Sequence, residues 1–360
     1  MLCNTQLTQI MDQSIAEESV QGSMIGQCVG DALGFIVEGH GPSRCAEYVK
    51  EFISGANGAI IPTWTRSSCS AFKFGQYSDD SQLARETFIA VLQGGGRIDP
   101  AIYALRIALL FQPNAYRIVG YGRATACGAH KIWMGEHYTR SGSATASGDG
   151  SAMRSGPIGL IMAKFPLDDI CKVATTFSSI THASRACTDG SIAIAVGTNI
   201  SMVTRGRVFD VEEYLRRIAE KVVDREYGKE IINIIQLIKS NDSEAAKHII
   251  AYGTRCGEVV WDGISVGVRQ STLWALYSFC KFPNDFVKCI ATAIASGGDV
   301  DTTAAMAGAL SGARVGFFNI PKIWREAVHD IDIWNMKDLC ELVHKVFVMV
   351  DNSKINITTP

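Results

Sequence analysis

The sequence has no long hydrophobic run and no strong charge imbalance. None of its apolar stretches approaches the roughly 20 residues that a membrane-spanning helix needs. Residues 1–20 are polar and include acidic side chains, so we expect neither a transmembrane helix nor a secretory signal. The formal net charge is only −2, which leaves no overall basic field to attract nucleic acid. The composition therefore argues against the membrane-embedded, secreted and nucleic-acid-binding classes.

The cysteines do not form a disulfide or zinc pattern. There are eleven of them, an odd number, and they are scattered without a C-x-x-C pair. Free thiols in a reducing compartment fit this distribution better than a disulfide framework does. We therefore predict an intracellular protein, cytoplasmic or, in a eukaryote, also nuclear.

Alternating apolar and polar residues, which indicate half-buried strands, are scarce. Apolar residues recur instead at helical spacing, and 47% of all residues are hydrophobic, enough for a substantial core. The spacing predicts helices over residues 79–93, 100–111, 168–181, 184–204, 211–238, 243–251, 268–281, 284–296, 301–317, 321–329 and 337–350, with another starting at Ala152-Met153.

We predict an all-α fold with one compact multi-helix domain over residues 15–350. No internal repeat or low-complexity tract suggests a second domain. Residues 1–14 are polar and are predicted to be frayed, and residues 351–360 form a C-terminal tail. Residues 55–76 are rich in Gly, Pro, Thr and Ser, which is typical of a long loop.

Four glycines recur at intervals of four residues near the start of this domain, at Gly22, Gly26, Gly30 and Gly34. On a helix this spacing places them on one face without side chains. Another backbone can then pack closely against that face, so we expect a tight helix–helix contact here.

Two carboxylates follow a glycine pair near the C-terminal end of the chain. Asp299 and Asp301 are two residues apart, so on a regular helix they would point about 200° apart. The pair Gly297-Gly298 permits the irregular backbone that a shared target requires. With the Thr302 hydroxyl, these oxygens suit Mg²⁺, Mn²⁺ or Ca²⁺. The alternative is an ordinary aspartate cap on a buried helix.

A second acidic turn has the same composition. Ser78, Asp79 and Asp80 directly precede a run with helical apolar spacing. A cap needs only one of these carboxylates, and adjacent like charges repel unless a cation or solvent compensates. Because the two turns are more than 200 residues apart, we predict that the fold closes them around one metal centre.

A loop follows the glycine-striped helix and carries Glu38. The segment Glu38-Gly-His-Gly-Pro42 has the composition of a helix-ending loop, which would leave Glu38 at its rim. We expect this loop to move and to let Glu38 swing towards a metal or a substrate. The alternative is a solvent-exposed glutamate with no role in the site.

Further loops contain glycines that would let the backbone approach a ligand closely. Gly120 and Gly122 flank Tyr121 in what is either a phosphate-contacting loop or a plain turn. Residues 139–151 form either a flexible linker or a cradle, and the apolar segment that follows favours a cradle for phosphate or ribose. Residues 253–267 are also glycine-rich and could border the same cleft.

Five short motifs follow one another along the chain: Gly30-Asp-Ala-Leu-Gly34 with Glu38, Ser78-Asp-Asp80, Gly148-Asp-Gly-Ser-Ala-Met-Arg154, Thr181-His182 and Gly297-Gly-Asp-Val-Asp-Thr302. These motifs, in this order, resemble the ADP-ribosylglycohydrolase family, and the resemblance extends from about Gly22 to about Val346. The segments Glu38-Gly-His40, Gly120-Tyr-Gly122 and Thr181-His-Ala-Ser184 look most like the branch that hydrolyses serine-linked ADP-ribose and poly(ADP-ribose).

The resemblance implies an all-helical, metal-dependent enzyme that releases ADP-ribose from modified proteins, from poly(ADP-ribose) or from O-acetyl-ADP-ribose. Two Mg²⁺ or Mn²⁺ ions would be held by Ser78, Asp79, Asp80, Asp299, Asp301 and Thr302. Catalysis would involve Glu38 and Asp80. The substrate would contact Gly120, Tyr121, Gly122, Gly148, Asp149, Gly150, Ser151 and His182.

Three features of the sequence admit more than one interpretation. His182, taken alone, would more often be a core residue than a ligand contact. Relatives usually place an aromatic residue before the 148–154 motif to stack on adenine, and here Tyr138 and Tyr121 are the nearest candidates. The rival functions are an arginine-specific ADP-ribosyl hydrolase and a catalytically silent relative, crystallin-like or ADP-ribose-binding.

Overall fold

Helices account for nearly all the regular structure. The structure, a computed structural model, describes residues 4–54, 64–65, 71–112, 118–253, 261–352 and 355–357. Its α-helices are α1 (Asn4–Phe35), α2 (Pro42–Tyr48), α3 (Asp79–Gln93), α4 (Pro100–Leu110), α5 (Arg123–Trp133), α6 (Tyr138–Ser141), α7 (Gly156–Ile161), α8 (Leu167–Ser179), α9 (Arg185–Val203), α10 (Val211–Ala219), α11 (Arg225–Leu237), α12 (Asp242–Gly253), α13 (Val268–Lys281), α14 (Phe286–Ala295), α15 (Val300–Val315), α16 (Lys322–Ala327) and α17 (Met336–Asp351). The predicted all-α class is confirmed.

The strands of the described residues are each two residues long. They form two pairs, β1 (Trp64–Thr65) antiparallel to β2 (Ala71–Phe72), and β3 (Arg97–Ile98) parallel to β4 (Asn356–Ile357). The first pair lies within the predicted loop 55–76, of which residues 55–63 and 66–70 lie outside the described ranges. These strands form no sheet on which the core could be built.

Helix α15 lies at the centre of the fold. Its residues are buried from Val300 to Arg314, and it packs against α1, α9, α13 and α14. Most of its side chains are small, which lets four helices approach its axis closely. The acidic residues at its first turn are therefore carried into the middle of the molecule.

Helices α1 and α15 run antiparallel and touch through their backbones. A Cβ atom added to Gly26 would lie 2.4 Å from the carbonyl oxygen of Gly308. One added to Gly30 would lie 2.0 Å from the carbonyl oxygen of Ala304. No side chain fits at such distances, so the close contact predicted from the glycine stripe is confirmed.

The predicted helix over residues 211–238 is wrong, because the chain breaks between α10 and α11. The carboxylate of Asp189 accepts hydrogen bonds from the backbone N–H groups of Val223 (2.9 Å) and Asp224 (2.8 Å). Asp224 then caps α11 by accepting from the N–H groups of Glu226 and Tyr227. The acceptor that stabilises the break lies in α9, 35 residues before Asp224, where local periodicity cannot reveal it.

The predicted helix start at Ala152-Met153 is also wrong, since residues 151–154 form turns and α7 begins at Gly156. A continuous helix would need an N–H at residue 157 to bond the Met153 carbonyl, and Pro157 has none. That carbonyl accepts instead from Nε2 of Gln27, at 2.9 Å.

The first helix begins before the predicted start of the domain. Helix α1 begins at Asn4, so residues 4–14 are helical, and the domain boundary at residue 15 stays a prediction. Among the described helices, none has both the length and the apolar character needed to cross a membrane. The cysteines of the described ranges are free thiols.

Candidate active site

Carboxyl groups from four segments meet near the N-terminal ends of α3 and α15. These segments are α1 with the loop after it, the first turn of α3, the loop before α7 and the start of α15; they supply Asp31, Glu38, Asp79, Asp80, Asp149, Asp299 and Asp301. Glu38 is half-buried and the others are buried. We refer to these seven groups as the acidic cluster. The structure thus brings the two acidic turns of the sequence together.

The contact between α1 and α15 positions one half of the cluster. A Cβ atom added to Gly34 would lie 2.4 Å from the carbonyl oxygen of Val300 and 2.5 Å from Cα of Asp301. The loop after α1 therefore emerges beside the first turn of α15. Carboxylate oxygens of Glu38, Asp299 and Asp301 lie within 4.8 Å of one another as a result.

The glycine pair before α15 has the irregular backbone that the sequence predicts. Gly297 and Gly298 have φ values of +71° and +87°, in the left-handed region that glycine tolerates. This turn lets Asp299, just before the helix, and Asp301, in its first turn, both face the acidic cluster. The backbone N–H of Thr302 donates to Oδ1 of Asp301 at 2.9 Å, which orients that carboxylate.

The loop that carries Glu38 is tied down on both sides. The N–H of Gly39 donates to the carbonyl of Gly298, and the N–H of Gly298 donates to the carbonyl of His40, each at 2.9 Å. These two bonds hold the loop backbone against the turn before α15 in the structure. The movement of this loop stays a prediction.

Asp31 supports the other half of the cluster, a role that the sequence did not reveal. Its carboxylate accepts hydrogen bonds from the N–H of Ser78 (2.9 Å), the N–H of Ser81 (3.0 Å) and the hydroxyl of Ser81 (2.7 Å). It thus holds the first turn of α3, while the Ser78 hydroxyl donates to Oδ2 of Asp80 at 3.0 Å. The available signal was an aspartate within an otherwise small and apolar stretch of α1, beside Gly30.

Replacing Asp31 by asparagine should destabilise the first turn of α3. The amide group would face donors that now bond a carboxylate, so at least one buried donor loses its acceptor, at a cost of about 1–3 kcal/mol. We expect the free energy of unfolding to fall by that amount and Mn²⁺ affinity to fall with it, measured by denaturant unfolding and calorimetry. In the control Asp210→Asn, the cap of α10 can be kept by asparagine, and neither quantity should change appreciably. Unchanged unfolding of the Asp31 variant would contradict this role.

The loop before α7 joins the cluster through Asp149. Its carboxyl group lies beside that of Asp299, and its N–H donates to the carbonyl of Val266 at 3.1 Å. The N–H of Asp299 in turn donates to the carbonyl of Ile264 at 2.8 Å. Residues 261–267 therefore border the site as expected, while residues 254–260 of that loop lie outside the described ranges.

The carboxyl groups of the cluster are poor anions without a counter-ion. Burial, followed by neighbouring carboxylates, raises the pKa well above its usual range for Asp79, Asp80, Asp299 and Asp301. Burial also raises the pKa of Asp149 to about 7. A nearby divalent cation would favour the ionised forms of all these groups.

Several buried oxygens in the cluster have no hydrogen-bond partner in the described part of the chain. They are Oδ1 of Asp80, Oδ2 of Asp149 and Oδ2 of Asp299. A buried carboxylate oxygen without a partner is costly unless a cation or water binds it. Oxygen donors of this kind are the preferred ligands of Mg²⁺ and Mn²⁺, so the residues present fit a hard divalent metal ion.

Gly120 lies directly against the first turn of α3. A Cβ atom added to it would be 2.9 Å from Oδ1 of Asp79, and its φ of +92° also favours glycine. Tyr121 is exposed, with its ring edge-on to Phe111, and Gly122 precedes α5 with open space around it. The loop 120–122 therefore borders the acidic cluster and leaves its backbone accessible.

His182 lies against the loop before α7. A Cβ atom added to Gly150 would be 2.9 Å from Cε1 of His182 and 3.2 Å from the hydroxyl oxygen of Thr125. Thr125 is buried and its hydroxyl has no partner among the described residues. Sequence reasoning missed Thr125, since nothing in the first turn of α5 distinguishes it.

The other residues considered for substrate contact make contacts within the protein itself. The Ser151 hydroxyl is buried and accepts from the hydroxyls of Ser178 (2.9 Å) and Ser191 (3.1 Å), so it is engaged in the core. Gly148 forms an antiparallel β-bridge with Gly267, which fixes the backbone at the start of the segment 148–150. The ring of Tyr138 packs on that of His137, with centroids 4.4 Å apart. The residue that would stack on adenine stays a prediction.

Comparison with known proteins shows which family this sequence matches. The family model described as ADP-ribosylglycohydrolase matches residues 12–354. ADP-ribosylhydrolase ARH3 of Xenopus tropicalis is 26% identical over 346 residues, covering 88% of this chain and 93% of that protein. The human ARH3 is 23% identical over 352 residues, with coverages of 91% and 93%. An uncharacterised protein of Archaeoglobus fulgidus is 27% identical over 328 residues, with coverages of 87% and 92%.

A solved structure supports the fold. A chain of an "ADP-ribosylglycohydrolase-related protein complex" superimposes with a TM-score of 0.67 at 20% sequence identity. The superposition covers 94% of this chain and 99% of that one. The predicted multi-helix architecture is therefore that of a known fold.

Proposed function

This chain belongs to the ADP-ribosylglycohydrolase family and is a glycohydrolase enzyme, and on that premise we propose that it cleaves serine-linked ADP-ribose and poly(ADP-ribose). O-acetyl-ADP-ribose is a further substrate in this proposal. The names of the ARH3 relatives support ADP-ribosyl hydrolysis. The local similarity of residues 38–40, 120–122 and 181–184 to that branch supports the serine-linked and polymeric substrates. ADP-ribosylated proteins would be its partners and ADP-ribose its product. An intracellular location accords with the free thiols.

The observation that carries the metal dependence is the set of buried carboxylate oxygens that have no partner in the described part of the chain. We propose that two Mg²⁺ or Mn²⁺ ions are held by Ser78, Asp79, Asp80, Asp299, Asp301 and Thr302, all of which are buried. Such ions supply Lewis acidity and orient substrate hydroxyls and a water. The side chains of the two acidic turns would hold such ions, because α15 and the hydrogen bonds that Asp31 accepts fix both turns.

Glu38 is the proposed group for proton transfer. Breaking a glycosidic bond passes through an oxocarbenium-like transition state, in which the leaving oxygen gains a proton and the attacking water loses one. The half-buried Glu38 lies beside Asp299 and Asp301 and is less enclosed than either. Asp80 is the second proposed catalytic carboxylate; Ser78 orients its Oδ2, and its Oδ1 has no partner among the described residues.

Two glycine loops would hold the ADP-ribose. Gly120, Gly122, Gly148 and Gly150 present backbone without side chains on either side of the acidic cluster, which permits close approach of a diphosphate. Asp149 belongs to the second loop and His182 lies against it, while Tyr121, with its exposed ring, belongs to the first loop.

The proposal is tested by hydrolysis of serine-linked, arginine-linked and O-acetyl-linked ADP-ribose and of poly(ADP-ribose), each with and without a chelator. We expect turnover of the serine-linked substrate and the polymer, lost with chelator and restored by Mg²⁺ or Mn²⁺. Turnover of the arginine-linked substrate alone would favour the rival acceptor. Full activity in chelator would contradict the metal proposal.

Replacing Glu38 by glutamine should lower turnover by about 10²–10⁴-fold, which is the usual contribution of a positioned acid or base. ADP-ribose affinity should stay within a few-fold, because the amide keeps the shape of the side chain. Turnover and calorimetric product binding are measured on the same variant. The control Glu47→Gln changes an exposed side chain on α2 and should leave both unchanged. An equal loss of affinity and rate would make Glu38 a binding residue instead.

A further inference from the structure

The hydroxyl of Thr181 lies between a guanidinium group and an imidazole ring. Nη2 of Arg154 donates to Oγ1 of Thr181 at 2.7 Å, and the same oxygen is 2.7 Å from Nδ1 of His182. All three side chains are buried. Because an arginine side chain only donates, Arg154 sets the direction of both hydrogen bonds that the Thr181 hydroxyl makes.

Arg154 has no acceptor atom, so Thr181 must accept the bond between them. The single hydrogen of the Thr181 hydroxyl then has one acceptor within reach among the described residues, Nδ1 of His182. Nδ1 must therefore carry a lone pair, and in a neutral ring the proton lies on Nε2. The opposite tautomer would leave a buried hydroxyl hydrogen without an acceptor, which disfavours it by about 5-fold or more.

The ring is neutral at ordinary pH. Burial lowers the pKa of His182 to about 3, and the positive charge of Arg154 acts in the same direction. In the ligand-free protein this histidine is therefore a neutral donor and not a cation. It can still donate one hydrogen bond. The contacts of Arg154 and Thr181 decide which ring nitrogen donates it.

Nε2 of His182 faces the loop that is proposed to hold the ligand. A Cβ atom added to Gly150 would lie 3.1 Å from Nε2, so only glycine leaves room there. No hydrogen bond joins Nε2 to any described residue, and the unpartnered hydroxyl of Thr125 borders the same space. A ligand oxygen beside Gly150 could accept from Nε2.

We propose that Arg154 and Thr181 are positioning residues that fix His182 as the Nε2–H tautomer and so direct one N–H donor at a ligand oxygen. The identity of that ligand as ADP-ribose rests on the proposed function, but the tautomer does not. The arrangement makes the donor independent of pH over the range in which the ring stays neutral.

The first test is the tautomer of His182 in the ligand-free protein. Ring ¹⁵N resonances of protonated and unprotonated nitrogens are distinct, and the His182 signals are identified by their loss in His182→Gln, one of seven histidines. At pH 7 we expect a protonated Nε2 and an unprotonated Nδ1. The reverse pattern, or two protonated nitrogens, would overturn the proposal.

The second test separates the effect of the Thr181 hydroxyl from the effect of the shape of its side chain. Thr181→Val removes the donor to Nδ1, so the Nδ1 resonance should shift and the Kd for ADP-ribose should rise about 5–10-fold, with kcat changing less than KM. Thr181→Ser keeps the hydroxyl and should resemble the unaltered protein in all three. A Thr181→Val protein with unchanged Nδ1 resonance and affinity would refute the positioning role.

The third test addresses Arg154. In Arg154→Gln the amide oxygen can accept the Thr181 hydrogen, so Thr181 can accept from Nδ1 and both tautomers should be present; a ring that stays wholly Nε2–H removes Arg154 from the proposal. If this variant does not fold, the first two tests still decide the remainder. Because the tautomer is measured without ligand, failure of ADP-ribose hydrolysis would leave this result intact and count only against the proposed function.

Discussion

Asp301→Asn is expected to abolish hydrolysis and to weaken divalent metal binding by at least about 100-fold, while the protein stays folded. Even partners outside the ligand shell cost 10–100-fold in metal affinity when removed, and Asp301 is a proposed ligand itself. The asparagine keeps the size of the side chain at a site where every neighbour on α15 is buried. Calorimetric titration with Mn²⁺ and turnover of a serine-linked substrate measure the two effects.

The same variant should change how stability depends on pH in the absence of metal. Burial and then Glu38 raise the pKa of Asp301 in the folded protein, whereas an unfolded aspartate titrates near pH ~3.9. The folded state therefore holds the proton more tightly, so this stabilisation is complete below about pH 3.9 and is lost as pH rises towards the folded pKa. In Asp301→Asn this group no longer titrates, so the stability of the metal-free protein should fall less as pH rises. Thermal unfolding in chelator at pH 5 and pH 8 measures it.

Asp210→Asn serves as the matched control, because it removes the same charge at the N-terminus of α10. It should bind Mn²⁺ and turn over substrate like the unaltered protein. Full Mn²⁺ affinity in Asp301→Asn would show that the ligands have been assigned wrongly. Loss of activity with metal binding retained would instead make Asp301 a substrate contact.

Gly30→Ala is expected to destabilise the protein by about 3 kcal/mol or more, at the upper end of the usual cost of overpacking a core. The added methyl group would lie 2.0 Å from the carbonyl oxygen of Ala304, a backbone atom that cannot turn aside. Helices α1 and α15 must separate to accommodate it. Because α1 carries Asp31 and α15 carries Asp301, the two halves of the acidic cluster should separate too, and metal affinity should fall along with stability.

Gly156→Ala is the control for this change. A Cβ atom there would meet nothing closer than 3.4 Å, an ordinary contact with Ala309, at the first residue of α7. Its free energy of unfolding should stay within about 1 kcal/mol of the unaltered value, or rise slightly. If denaturant unfolding shows Gly30→Ala to be as stable as Gly156→Ala, the backbone contact between α1 and α15 does not exist in solution.

The sequence alone determined the fold class and the chemical character of the site. Helical periodicity located α3, α4 and α13 almost to the residue, because local spacing and capping residues decide where such helices lie. The glycine stripe of α1 predicted a close helix contact, since glycine at every fourth position leaves one bare face whatever lies against it. The two acidic turns were evident as clusters of oxygen-bearing residues at helix starts.

Tertiary structure decided which elements meet and what each polar side chain contacts. That α15 is the partner of α1, that Asp31 holds Ser78 from 47 positions away and that Asp189 breaks the helix before α11 all depend on contacts between distant segments. The loop that carries Glu38 has the composition of a mobile segment, yet backbone hydrogen bonds with Gly298 hold it against the turn before α15. Local sequence specifies a residue's conformational preferences, whereas burial and long-range hydrogen bonds decide among them, because their free energies exceed those of local propensity.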